Sequence, residues 1–472
     1  MLRITNKHST REDSRNPPRQ DEKLMATNIS RLAVLACRFS ARCTLLLVLL
    51  GTASQVSAIN GFFLPGYGAK SLGVAGTGVA MPQDRLAASN NPAGMALIAP
   101  GFDVSATLLH PQRSALLDCA GIGQCDEAVR DRSKREFFLI PGFGYSRRWG
   151  ERTTLGVSTY ANGGLNTSYS RDLYRETALR IAGQKPGDPG FPTRGKIGID
   201  FAQFIVATSL AYRANERWTL GIAPVLIVQK FSSRGLESFA ALSQDGTSLS
   251  GRDSDYGVGG GVRVGVIYQW RSDLRLGAQY SSELFIPRYT KYNGLFADNG
   301  SFNSPSHYAL GLSWNATPKL TVGFDFQRIL FAEIGTIGNP GPSPAELGGN
   351  ITPSRLLGGA EGIGFGWRNQ SIYKVGAIYQ YNDRLTLRTG WDHGSEVAPG
   401  RAALLSPIAP GSMRDDFTVG LSYRLPGGQE LSMAYMHAFG ATTQDSQSSF
   451  FEVPVKAWAA VDALNIGYGR DF

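Results

Sequence analysis

The sequence predicts an all-β fold: a 14-stranded antiparallel transmembrane barrel with a segment near its N-terminus filling the lumen as a plug. Three observations lead there. The chain opens with an export signal, its body alternates apolar with small or polar residues at a period of two, and its connections are short and long by turns.

The export signal comes first in the chain. Three arginines lie between Arg31 and Arg42, the apolar run Thr44-Leu45-Leu46-Leu47-Val48-Leu49-Leu50 follows, and small residues lead to Val56-Ser57-Ala58. A basic start, a short apolar middle and small residues at the cut make a secretory signal peptide, and the run falls short of the ~20 residues that span a bilayer. Cleavage is expected after Ala58, so residues 1–58 are a leader. Met25 is a candidate for the true start, because Met1 to Lys23 is polar and resembles neither signal nor fold. The leader holds nine Lys/Arg and four Asp/Glu, so its loss lowers the net charge from +9 to +4. With no basic block after residue 58, nucleic acid is not an expected partner.

Cysteine usage agrees with export. Cys37 and Cys43 lie in the leader, and only Cys119 and Cys125 remain, close together in a polar stretch. In an oxidising compartment this pair is expected to form a disulfide at the tip of the first external loop. The alternative, a metal pair, lacks a nearby histidine or further cysteine to complete it, and no metal or cofactor is expected.

The strands are read from alternation. Tyr256, Val258, Gly260, Val262, Val264, Val266, Tyr268 and Trp270 form one face of a segment whose other face is Gly257, Gly259, Gly261, Arg263, Gly265, Ile267 and Gln269. Successive side chains on a strand point to opposite faces, so one face is apolar and the other small or polar. The same pattern recurs around Leu274–Ser281, Leu320–Gln327, Leu385–Asp392 and Phe417–Arg424. A soluble sandwich would show it too, and the connections decide between the two. Six are tight, at Trp149–Arg152, Ala214–Arg217, Arg271–Asp273, Asn315–Pro318, Asn382–Arg384 and Pro426–Gln429. Seven are long, at about residues 111–136, 162–196, 232–254, 286–305, 332–370, 393–414 and 440–454. Seven loops and six turns join 14 strands, with the short-turn, long-loop asymmetry of outer-membrane barrels. Trp149, Trp218, Trp270 and Trp314 all sit at or beside short turns, as an interfacial girdle on one rim would place them. The chain ends on Phe472 after Leu464, Ile466 and Tyr468, like the terminal strand by which the barrel-assembly machinery recognises its clients, although Arg470 stands where such signals carry an apolar residue.

Residues 59–100 do not alternate. The run Gly73-Val74-Ala75-Gly76-Thr77-Gly78 lacks the spacing and the strand–helix context of a phosphate loop. A Gly-rich segment packed tightly inside something else fits better. The opening Gly61-Phe62, the run Leu72-Gly73-Val74-Ala75-Gly76-Thr77-Gly78-Val79-Ala80 and the motif Asn91-Pro92-Ala93 closely resemble the FadL/TodX family of outer-membrane transporters of hydrophobic compounds. The resemblance covers the whole mature chain, including Tyr268–Gly277. It implies a hatch over 59–100 carrying Gly61, Phe62, Asn91, Pro92 and Ala93, inside a barrel over 101–472, in the outer membrane of a Gram-negative cell. It also implies passive uptake of a hydrophobic ligand, with capture by the outer loops, a pocket against the plug, and exit into the bilayer through a kink in the third strand. Asn162, Gly163 and Gly164 suit that kink, because glycines mark bends and unpaired strand positions.

Long-chain fatty acids are the first expected ligand, and aromatic or aliphatic hydrocarbons the alternative. Phe239, Leu295, Phe296, Leu356, Leu357 and Phe365 are candidate capture residues; packing of loop on loop is the plainer reading of each. Arg263, Arg275, Lys374, Arg388 and Arg424 fall on lumen-facing positions. They are candidates to hold a ligand carboxylate, against the simpler role of pairing with Asp325, Glu283 and Asp392 or with the plug. Expected partners are the hydrophobic ligand, outer-membrane lipid and lipopolysaccharide, and the assembly machinery, with the protein a monomer. Three other classes remain as alternatives: a barrel lipase or esterase, for which only His393 beside Asp392 speaks; an open porin, against which the plug speaks; and an adhesin. The chain is not expected to be an enzyme.

Overall fold

The structure is a computed structural model that describes residues 60–191, 195–400, 404–411, 413–445 and 453–472. The leader, with Met25, Cys37, Cys43 and the expected cut after Ala58, lies outside the described residues, as do residues 446–452 of the last loop.

Fourteen antiparallel strands form one closed sheet: β1 (Gly101–Leu117), β2 (Phe138–Trp149), β3 (Thr153–Asn166), β4 (Gly198–Arg213), β5 (Trp218–Arg234), β6 (Asp255–Arg271), β7 (Leu274–Ser281), β8 (His307–Thr317), β9 (Leu320–Ile329), β10 (Gln370–Gln380), β11 (Leu385–Gly394), β12 (Asp415–Arg424), β13 (Gln429–Asp445) and β14 (Val455–Asp471). Each strand pairs with its sequence neighbours, and β14 closes the ring on β1 from Gly101↔Asp471 to Leu117↔Val455. A four-residue strand, Val129–Arg132, adds to the free edge of β1 in the first loop.

Alternation sets the two faces. On β6, Tyr256, Val258, Val264 and Trp270 are exposed on the outside while Arg263 and Ile267 are buried within. All four rim tryptophans are exposed at the turn end of the barrel. Phe472 follows β14 and donates its main-chain N–H to Pro100 at 3.0 Å; Arg470 shares the outward face of Ile466 and sits level with that rim. The sheet reaches further toward the loops than the apolar pattern suggests. β1, β5, β6 and β14 are 17 residues long, against the ~9–11 that cross a bilayer. The first long connection therefore starts after Leu117 rather than near residue 111, and the third after Arg234. Above the bilayer a strand no longer needs an apolar face, so alternation fades before pairing does.

Residues 60–100 are almost wholly buried and touch inward-facing side chains all round the ring. At the loop end, Phe239, Phe296, Leu357, Trp367, Leu404 and Ile408, from four different loops, form one apolar cluster with Phe62 and Phe63.

Candidate functional site

The Asn-Pro-Ala motif works as a helix start that is also wedged into the wall. Asn91 caps a 3₁₀ turn (Pro92–Leu97), its Oδ1 accepting from Ala93 N at 3.0 Å, and Pro92 fits the first helical position because its missing N–H would have no partner there. Asn91 Nδ2 donates to Val79 O at 2.8 Å and to the β6 carbonyl of Val266 at 3.2 Å. The turn approaches the wall so closely that a Cβ at Gly221 would lie 2.2 Å from Ala93 N, and one at Gly265 would lie 2.0 Å from Asn91 Oδ1. These inward glycines explain the small-residue face of the strands.

Charged groups of the wall fasten the rest of the segment. Asp325 on β9 is 2 % exposed and accepts from Gly78 N at 2.7 Å and Val79 N at 3.0 Å. Asn60 donates to Asp392 at 2.9 Å. At the turn end, Arg85 binds Asp103 at 3.0 Å and also pairs with Asp471. Burial, reinforced by the Asp103 carboxylate, pushes Asp84 up to about 6.

Three of the five candidate cations, Arg263, Lys374 and Arg388, contact the inner segment, and Arg275 and Arg424 contact wall residues. Arg263 donates to Ala88 O and Ser89 O (2.8 and 2.6 Å) and to the Tyr160 hydroxyl. Lys374 donates to Pro65 O at 2.8 Å and lies 3.6 Å from Asp392. Arg388 donates to Gln83 and Ser422. Arg275 reaches Gln269, and Arg424 is mostly exposed 3.9 Å from Glu430 at the turn end. The contacts of Arg263, Lys374 and Arg388 with the inner segment match the simpler role, pairing with the plug; only the fold gives the individual partners.

The wall parts between β2 and β3. β2 and β3 pair only from Gly142↔Tyr160 to Trp149↔Thr153. Toward the loops, residues 138–141 of β2 stay with β1, and residues 161–166 of β3 stay with β4. The two strands therefore part. Two local features account for it. Pro141, just beyond the last pair, has no N–H to give a ladder. The register of β3 on β4 slips between Ala161 and Gly163, leaving Asn162 as a bulge that bends the strand. The glycines do not break β3, which runs on to Asn166. The inward-bent Asn162 is held by Gln203 (2.9 Å), the Tyr67 hydroxyl (2.5 Å) and Leu64 N (3.1 Å).

Behind the gap lies a cavity of about 200 Å³ lined chiefly by apolar groups, among them Phe62, Leu64, Pro141, Ala161 and Leu165. Gly163 borders it at φ +128°, and a Cβ there would stand 2.1 Å from Phe62 O. Valine at both glycines would thus not leave the inner segment in place. Gly163→Ala alone is expected to loosen that segment by about 1–3 kcal/mol, read as faster proteolysis near Phe62 in an otherwise protease-resistant barrel. Parent-like protection would show the contact to be unimportant.

A second cavity, of about 30 Å³, lies within the loop cluster and is lined by Phe239, Leu295, Phe296, Leu357 and Phe365. Leu356 is not among its walls. These candidate capture residues are therefore mutually packed rather than exposed.

Cys119 and Cys125 are joined, with Cα atoms 5.8 Å apart. His393 bonds to Asp415 at 2.8 Å rather than to a nucleophile. Among the described residues no group of three or more His, Cys, Asp or Glu is arranged to hold a metal. One residue that sequence reasoning missed lines the larger cavity: Arg113, on the inward face of β1 beside Pro111. The expected loop at 111–136 hid it.

The family model described as outer membrane protein transport protein (OMPP1/FadL/TodX) matches residues 49–469. No curated protein matches the sequence. Among solved structures, the Pseudomonas putida toluene transporter TodX is similar at 16 % identity, covering 87 % of this chain and 99 % of that one, with TM-score 0.61. A Pseudomonas aeruginosa FadL homologue is similar at 14 % identity, with 87 % and 100 % covered and TM-score 0.62. The Ralstonia pickettii toluene transporter TbuX is similar at 18 % identity, with 87 % and 99 % covered and TM-score 0.59. At these identities the likeness establishes the fold.

Proposed function

The chain belongs to the outer membrane protein transport protein family (OMPP1/FadL/TodX), and from that premise we propose that it admits hydrophobic small molecules through the outer membrane and releases them sideways into the bilayer. The observation that carries the reading is the parting of β2 from β3 in front of an apolar cavity of about 200 Å³. An apolar molecule there has chain on one side, residues 60–64 beneath it, and lipid beyond the gap. Moving it from water to apolar surface is favourable by ~25 cal/mol per Å², and a lateral exit spares it the watery periplasm.

In this reading residues 60–100 act as a plug that closes the straight route. The loop cluster is the capture site in a closed arrangement, because its cavity of about 30 Å³ has room for no more than a few waters. Capture then requires the loops to part around a ligand. The leader is a signal peptide removed after Ala58, Phe472 takes part in assembly, and the barrel is a monomer surrounded by lipopolysaccharide.

Long-chain fatty acids are one cargo class. Monoaromatic hydrocarbons are the second reading, favoured by the toluene transporters among the structural neighbours. Cells lacking the protein, with and without it restored, should differ in uptake of labelled oleate or toluene. Unchanged entry of both would contradict the proposal.

A further inference from the structure

We propose that Arg113 is a specificity-determining residue that receives the anionic head of an amphipathic acid at the lateral gap. This deepens the transport reading above and rests on it.

Arg113 is 6 % exposed and lines the cavity otherwise walled by apolar side chains. Its Nη2 donates to the carbonyl of Arg135, and its guanidinium lies over the Phe138 ring at 5.8 Å. Its Nε has no acceptor, and among the described residues no carboxylate stands within 4.0 Å of it. Glu136, the acid whose charge acts on it, is committed to Arg132 at 3.3 Å, and Asp200 of the neighbouring strand β4 to Arg135 at 2.7 Å and Lys230 at 3.0 Å.

A buried cation without a counter-ion is costly to a fold, and stability alone gives no reason to keep one in an apolar pocket. A carboxylate arriving with its own apolar tail would supply the missing charge, and guanidinium is the donor best matched to it. The surroundings point the same way. A neighbouring cavity of about 270 Å³ is bordered by Lys134, Lys196 and Arg234, none ion-paired among the described residues. Asp200, its acid, faces Asn166 of the apolar cavity across the β3–β4 ladder. The field at the loop end of the gap is therefore positive, which attracts an anionic head while the tail takes the apolar walls.

The test compares two probes with one tail: labelled oleate and labelled oleyl alcohol, with toluene as a third. In the parent, oleate should enter faster than the alcohol. Arg113→Met should lower oleate uptake about tenfold or more and abolish that preference, with alcohol and toluene entry unchanged. Arg113→Lys should restore most of the preference. If Arg113→Met reduces all three probes alike, Arg113 merely supports the structure and the specificity proposal fails. If it spares oleate but releases co-purified phosphate-bearing lipid, the residue holds a membrane headgroup, and the cargo assignment fails. A parent that moves none of the probes would sink the transport reading itself, which separates the two failures.

Discussion

Barrels carrying Asp325→Ala are expected to conduct ions through a lumen that the parent keeps closed. The carboxylate is buried, and one oxygen takes two main-chain donors, Gly78 N and Val79 N. A hydrogen bond to a charged group contributes about 1.5–3 kcal/mol, and a buried donor left without a partner carries a penalty of similar size. Losing both bonds shifts the inner segment by about 3–6 kcal/mol toward detachment, a factor of about a hundred or more in how often it lifts from the wall. Lys374, the cross-strand neighbour of Asp325, also loses a negative charge while still bound to Pro65 O. The strands themselves keep every ladder bond, so a folded barrel should remain, seen as unchanged heat-modifiable migration. Asp325→Asn keeps one acceptor oxygen and should fall between the two. Single-channel recording in a planar bilayer reads the effect; parent-like conductance from a folded Asp325→Ala barrel would mean that the Asp325 anchor does not hold the lumen shut.

The barrel was legible because a membrane imposes a period of two on every crossing strand, and because turns and loops differ so much in length. Legibility failed where the membrane stops. Gln112 and Arg113 interrupt the apolar pattern while still paired with β14, so a stretch of strand reads as loop and an inward arginine is lost with it. The lumen-facing cations illustrate a second limit. Alternation gives the face of Arg263 or Lys374, but the carbonyls that receive them lie 174 and 309 residues away in sequence. The gap shows a third. Gly163 and Gly164 announce an irregularity in β3, yet the opening also depends on Pro141 of a different strand and on a bulge at Asn162, which sequence pattern does not reveal. Loop residues such as Phe239 and Phe296 read as apolar, and only the fold brings them into one cluster.

Bridging the gap should stop delivery without stopping capture. Phe138 and Leu165, one on each parted strand, both line the cavity. Cysteines at these positions can be linked by a short bis-maleimide, and the only other cysteines of the sequence after residue 58, Cys119 and Cys125, are already joined to each other. A linker across the strands occupies the exit while leaving the loops and the inner segment as they are. Each single-cysteine variant, treated alike, controls for the bulk of the reagent. The measurement is uptake of labelled ligand by cells carrying the bridged protein, beside binding of the same ligand to that protein after purification. Lateral exit predicts parent-like binding with uptake reduced to that of cells lacking the protein; uptake at the parent rate through a fully bridged barrel would contradict it.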